Sequence, residues 1–507
     1  MKDGSIPLCL VLFFQGVVQG QPYYQRAFGG LLNDRVYAIC ATEDNAVILG
    51  GMTGSFVAGT NADDLYLTRI HRSGEMQWSR HYDCGIVSWA LDLATCSHGS
   101  IMVAGGRKPT SGILLRVDSL GDVDWAYTGA VQRYTAVCVG IDEMVYALGY
   151  TVGTNSDIQL DKFRADGTLL WSKRYGTSNA EVTGGVSPTA DGGAIVACST
   201  LVAGSGVDGL LMKVDGDGDI EWSRTFGLAA AEEFHDVKEI ATGGYVAVGA
   251  TSGGPALAIR VNNVGDTLWT RVFDGGIGSC RFRTVQEVNQ GFLISGEFCS
   301  GSCYPLLVLL DDAGNLVWQR RLNGWNIMPT EPGLHAQFTD GSLALTSSVA
   351  DTGPGSRDIC MAVLDGQGMG ADCELATEVM NTLSPTWYLG VQGEALGAGG
   401  VSPLMPTANP AATLLENICG NVGLAERAPI TTDLVIDAGS GTVAMQSLPS
   451  QGTVSLYNGL GQELESWRVQ SASLSITLAG KSSGLFLVTV LDRYGRLLAT
   501  YRVAAVH

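Results

Sequence analysis

A segment that places a glycine four residues ahead of a tryptophan recurs in tandem, with Gly74/Trp78, Gly121/Trp125, Gly167/Trp171, Gly218/Trp222, Gly265/Trp269 and Gly314/Trp318 at its successive copies. Successive tryptophans are 47, 46, 51, 47 and 49 residues apart, a tandem unit of about 48 residues. Ahead of each glycine lies an apolar strand, such as LYLTRI from 65 or LLMKV from 210. Ahead of that comes a strand ending in small residues (AVILGG from 46, IMVAGG from 101, YVAVGA from 245), and before it another (VYAIC from 36, YTAVCVG from 134, FHDVKEI from 234). With the tryptophan strand this makes four short strands per unit, the arithmetic of a β-propeller blade. The small-residue strand suits a crowded position near the central axis. Each indole is expected to fill the gap between adjacent sheets, and each glycine to supply the positive φ of a tight hairpin.

The last unit supplies LALTSS from 343 and ICMAVLDGQG from 359, but four residues after Gly368 stands Asp372, so its tryptophan strand is missing. YYQRAFGG from 23 matches WSRTFG from 222, with Tyr24 in the tryptophan place and Phe28 in register. An open ring has exposed sheet edges at its seam, and pairing removes them, so residues 23–29 are expected to close the ring. Counting from Tyr24 to Gly368 gives seven blades, with six or eight left open.

Composition agrees: 68 Gly, 16% charged and 46% apolar residues suit short strands and turns. A formal charge of −20 repels phosphate backbones, which sets nucleic acid aside as a partner. Lys2, an apolar run from Ile6 to Val18 and Val18-Gln19-Gly20 have the layout of a secretory signal peptide over 1–20. No later apolar run is long enough to span a membrane, so the protein is expected to be secreted or at the outer cell surface, via the periplasm, and monomeric. Loss of Cys9 leaves 11 of 12 Cys, an odd number. Cys280, Cys299 and Cys303 form a local group, for which a disulfide is preferred to zinc because no fourth ligand lies near.

The propeller is read over 21–372. From 373 to 430 the rhythm stops in a Gly-, Ala-, Pro- and Ser-rich stretch that reads as an extended linker, bracketed by Cys373 and Cys419, which could pair. Over 431–507 alternation returns in short strands (LVIDAG, TVAMQSL, VSLYNGLGQEL, LSITL), a small β-sandwich.

The hairpin VSLYNGLGQEL, the pair LAGKSSGLFLVTV and the terminal GRLLATYRVAAV resemble the type A sorting domain of the bacterial type IX secretion system, found on exported proteins of the Bacteroidota. The propeller resembles the tryptophan-bearing repeats often joined to it. The resemblance implies recognition by the type IX secretion machinery, and carries over Gly461 of the hairpin and Gly484 and Phe486 of the Gly-x-aromatic strand. The family's Pro-Asn-Pro entry is replaced here by Val435 to Gly441.

His71, His81, His98, His235, His335 and His507 show no metal-ligand spacing. The stretch from Ala203 to Gly209 is not a nucleophile elbow. Asp215, Asp217 and Asp219 lack the glycine and glutamate of a calcium loop and read as a turn. Quinoprotein dehydrogenases are also propellers with repeated tryptophans, but the ligand cluster their cofactor needs is not apparent. No catalytic, cofactor or metal residue is assigned. Two functions remain: a binding or structural propeller taking a glycan or protein ligand at the channel or at loops 52–63, 151–156, 200–207, 251–255 and 350–357, and a secreted polysaccharide-acting hydrolase or lyase.

Overall fold

A computed structural model describes residues 23–370, apart from 31, 58–62, 85–86, 152, 154–155, 178, 203–205, 228–229, 253, 275–277, 323, 329–330 and 351–356, and beyond them the strand segments between 375 and 505. The chain is all-β and forms a seven-bladed propeller. Each blade is antiparallel and runs outward in sequence order, as in blade one from Asp34–Ala41 through Ala46–Thr53 and Asp64–His71 to Met76–Asp83. Blade seven takes its fourth strand from the N-terminus. Tyr24–Gly29 pairs with Arg357–Leu364, Tyr24 opposite Val363 and Phe28 opposite Ile359, and Phe28 is fully buried.

The apolar core is divided into wedges between neighbouring blades, for example Ile48, Leu67 and Tyr82 of blade one against Leu93, Val103 and Leu115 of blade two. The tryptophans lie at the outer end of these wedges. The indole N–H donates to the next blade's turn carbonyl: Trp78 to Ser119 at 2.9 Å, Trp125 to Ala165 at 3.0 Å, Trp171 to Gly216 at 3.1 Å, Trp222 to Asn263 at 2.9 Å and Trp269 to Asp312 at 2.9 Å. Trp318 is buried against Gly368, and its N–H finds no partner among the described residues. Each turn glycine has two reasons to be glycine. Gly167 has φ +84°, and a Cβ on it would stand 2.9 Å from the Trp125 ring of the preceding blade. At the seam, Gly74 faces Tyr24 and Arg26 in the same way.

The position of the small-residue strand differs from the sequence expectation. It is the second strand, and the first strand lines the axis. In six blades the first strand carries a β-bulge, between Val36 and Ala38, Ala90 and Asp92, Tyr134 and Ala136, Thr183 and Val186, Phe234 and Asp236, and Phe282 and Thr284. A bulge drives a carbonyl toward its neighbour. A Cβ on Gly51, Gly105, Gly249 or Gly296 would meet the backbone oxygens of Arg35, Trp89, Glu233 and Arg281 at 1.8, 2.0, 1.8 and 1.9 Å. The small residues answer to the bulge, not to the axis.

The stretch read as a linker also differs. Its described residues are seven short strands, each pairing antiparallel with a blade's outermost strand as a fifth strand. They run backward through the ring: Leu375–Ala376 on blade six, then Asn381–Leu383, Tyr388–Gly390, Glu394–Ala398, Val401–Pro403, Thr407–Pro410, and finally Leu414–Asn417 on Tyr24–Gly29. This belt satisfies backbone groups at edges that a four-stranded blade leaves open. Contacts accordingly group Gln21–Cys419 into one compact unit, and Gly420–His507 falls in the other.

The second unit holds a three-stranded sheet (Leu434–Asp437, Thr442–Met445, Leu474–Thr477) and a four-stranded one (Glu463–Arg468, Thr453–Tyr457, Gly484–Leu491, Leu497–Ala505), with Val454, Leu456, Ile476, Val488 and Val490 buried. Gly484 lies opposite Ala505 and Phe486 opposite Val503. Gly461, Cys373 and Cys419 fall outside the described residues.

Candidate functional site

The first strands of all seven blades wall a central channel with a cavity of about 1070 Å³, a volume suited to a sizeable ligand. The bulges bring unlike residues to equivalent positions. At the end where first strands begin and second strands finish, the wall carries Tyr37, Trp89, Arg133, His235, Arg281 and Arg283. Deeper in stand Asp92, Asp236, Lys238, Thr284 and His335, and the far end is lined by Ala41, Thr95, Val139, Gln286 and Gln337.

The two channel aspartates are already engaged. Asp92 of blade two accepts the N–H of Leu93 at 2.9 Å and of Val137, across the blade boundary, at 2.8 Å. Asp236 of blade five does the same with Val237 at 2.8 Å and Val285 at 2.9 Å, and pairs with Lys238 at 3.1 Å. Both are carboxylate staples between blades. Burial pushes the Asp92 carboxyl up to about 7, with the Asp236 charge adding to it against the pull of those N–H groups and Lys238. Burial works against the Lys238 charge, yet Asp236 and Asp92 hold it above the usual lysine range. His335, hydrogen-bonded to Thr284 at 3.1 Å, is held down to about 3 by burial and by Lys238, so it is neutral at pH 7.

The outer end is more open in its bonding. Arg283 is held by Glu297, with Nη2 to Oε1 at 2.6 Å, and His235 Nδ1 meets the Phe282 oxygen at 2.6 Å. Arg281 is exposed and Arg133 half-buried, and neither makes an ion pair or hydrogen bond among the described residues. Arg133 lies over the Tyr150 ring at 5.4 Å. Beside it the half-buried Trp89 ring lies in space that a side chain on Gly106 would take, since a Cβ there would stand 2.9 Å from both Trp89 Cζ2 and Arg133 Cβ.

Of the residues singled out in the sequence, only His235 and His335 line the channel. The blade tryptophans are peripheral, and the strands that flank the loops at 52–63, 151–156, 200–207, 251–255 and 350–357 are second and third strands of their blades, while residues 58–62, 152, 154–155, 203–205, 253 and 351–356 of those loops lie outside the described residues. Asp215 is a turn residue whose carboxylate accepts the N–H groups of Asp217 and Asp219, both at 2.9 Å. Among the described residues no group of three His, Cys, Asp or Glu could hold a metal. Of the cysteine group, Cys299 and Cys303 are cross-strand neighbours joined by a disulfide. Cys280 is excluded from it: it pairs opposite Phe298 and packs in the wedge toward blade five, whereas Cys303 packs toward blade seven on the other face of the sheet. Apart from His235 and His335 in the histidine inventory, none of the channel residues was singled out in the sequence. Aligning the first strands on the glycine that follows each would have brought out Trp89, Arg133 and Arg281.

Fold and channel together define a seven-bladed β-propeller with an axial cavity that carries charged side chains on its wall. No family model matches the chain, and no curated protein matches it. Among solved structures it is similar to the periplasmic gluconolactonase PpgL of Pseudomonas aeruginosa (13% identity over 66% of this chain and 99% of that one, TM-score 0.40). It is also similar to PorZ of Porphyromonas gingivalis, a surface component of the type IX secretion system (10% identity, 94% and 75%, TM-score 0.34), and to the polysaccharide lyase Uly1 (11% identity, 70% and 94%, TM-score 0.40). At these identities and TM-scores the likenesses bear on neither ligand nor activity.

Proposed function

We propose that this chain is an exported propeller with a binding role, delivered by the type IX secretion machinery through residues 431–507 and taking a glycan or protein ligand at the cationic end of its channel. One observation carries the binding reading. The channel carboxylates Asp92 and Asp236 each already hold two backbone N–H groups, while Arg133, Arg281 and Trp89 stand toward the cavity with bonding capacity to spare. An acid–base pair for glycoside cleavage needs two carboxyl groups free to reach the bond.

The second reading, a polysaccharide-acting hydrolase or lyase, is favoured by Asp92, whose carboxyl at about 7 is poised for proton transfer. A panel of soluble polysaccharides incubated with the full-length chain separates the two: retention of polymer with unchanged chain length supports binding, and shortened or unsaturated products overturn it. For delivery, truncation after residue 430 in a host with a type IX system is expected to leave the propeller in the periplasm. Normal surface appearance of the truncated chain would remove that part of the reading.

A further inference from the structure

We infer that the cationic end of the channel is a site for an acidic polysaccharide, one whose sugar ring stacks on Trp89 while its carboxylates are met by Arg133 beside that ring and by Arg281 elsewhere on the wall. This rests on the binding reading above and names the ligand class.

The first observation is charge. The chain carries 50 acidic and 30 basic residues, yet the channel wall holds four cations, Arg133, Lys238, Arg281 and Arg283, against two carboxylates, Asp92 and Asp236. A cationic cavity in an anionic protein concentrates anions there against the overall field. Two of the four are committed, Lys238 to Asp236 and Arg283 to Glu297. Arg133 and Arg281 are the remainder, on blades three and six, and a guanidinium pairs with a planar carboxylate through two parallel N–H bonds. Glu233 beside Arg281 and His235 tempers the charge at the rim without ion-pairing to Arg281.

The second observation is shape. Gly106 leaves room for the Trp89 ring and the Arg133 stem to lie side by side, which sets a flat apolar face next to a fixed cation. An extended peptide carries its carboxylates on flexible stems, whereas a uronate offers a rigid apolar ring face with the carboxylate attached directly to it. The juxtaposition fits the sugar.

The test is calorimetric titration of the full-length chain with tetragalacturonate, cellotetraose and tetraglutamate at low salt, on wild type, Arg133→Met, Arg281→Met and Trp89→Ala. Tetragalacturonate is expected to bind about tenfold or more tighter than cellotetraose. Each arginine variant should weaken it by about tenfold with no change in thermal midpoint, and Trp89→Ala should weaken it as well. Arg281 is exposed, so its variant reports even if Arg133→Met folds poorly. Equal binding of cellotetraose, equal binding of tetraglutamate, no binding of tetragalacturonate, or binding indifferent to both arginines overturns the inference while leaving a binding propeller intact. Shortened tetragalacturonate in the cell overturns the binding reading itself.

Discussion

The Trp325 indole N–H donates to the side-chain oxygen of Gln25 at 2.8 Å, joining two buried groups 300 residues apart. Gln25 lies on the N-terminal strand, and Trp325, fully buried, sits in the connection between blades six and seven.

The ring is therefore closed by a polar bond inside the core as well as by backbone pairing. Trp325→Phe, which keeps most of the apolar volume and strands the Gln25 oxygen, is expected to cost about 1–3 kcal/mol. Phe28→Ala, at the same seam, should cost about 3–5 kcal/mol. Guanidinium denaturation with an unchanged m-value is the measurement.

Gly167 and Gly192 both have φ +84°, but only Gly167 faces the Trp125 ring, whereas a Cβ on Gly192 meets nothing within 4 Å. Gly192→Ala should cost only the left-handed backbone term, about 1–2 kcal/mol. Gly167→Ala should cost about 1–3 kcal/mol more, because the indole must shift in a packed wedge. Equal losses in the two variants would mean that the indole yields freely.

His335 and Asp92 make opposite contributions to pH dependence. The native His335 pKa of about 3 lies below its ordinary 6.5, so the unfolded chain takes up the proton first, and stability present above about 6.5 is lost as pH falls toward about 3. His335→Gln should flatten that loss by up to about 1.4 kcal/mol per pH unit in thermal melts. The raised Asp92 pKa acts the other way: the native state holds the proton more tightly, so stability declines as pH rises from 3.8 toward about 7, and Asp92→Asn should remove that slope.

Reduction of the Cys299–Cys303 bond opens only a short loop, with a sequence separation of 4, and should cost no more than about 2 kcal/mol. Cys198 and Cys138 are buried, and burial pushes both thiols far above their ordinary range. Alkylation of the native protein followed by mass analysis should leave them unlabelled until denaturant is added. Rapid native labelling would contradict the packing of the wedge between blades three and four.

Repetition made the blades legible. A Gly-x-x-x-Trp turn recurring every 46 to 51 residues leaves little freedom in architecture, and the match of Tyr24 to the tryptophan place located the seam strand. The belt was not legible because its strands are two to five residues long, pair only with distant strands and show no alternation of their own. The channel stayed hidden for a related reason. Blade-to-blade likeness draws attention to what recurs, whereas a ligand site on a symmetric scaffold is built where the repeats disagree, as Ala136, Asp92 and Asp236 do at one bulge position.

Because Tyr24–Gly29 is gripped on one side by Arg357–Leu364 and on the other by Leu414–Asn417, the strand that seals the ring meets its first partner only after more than three hundred intervening residues and its second later still. A ring sealed in this manner is completed only when two distant parts of the chain meet, a long-range pairing that makes closure a late event in folding.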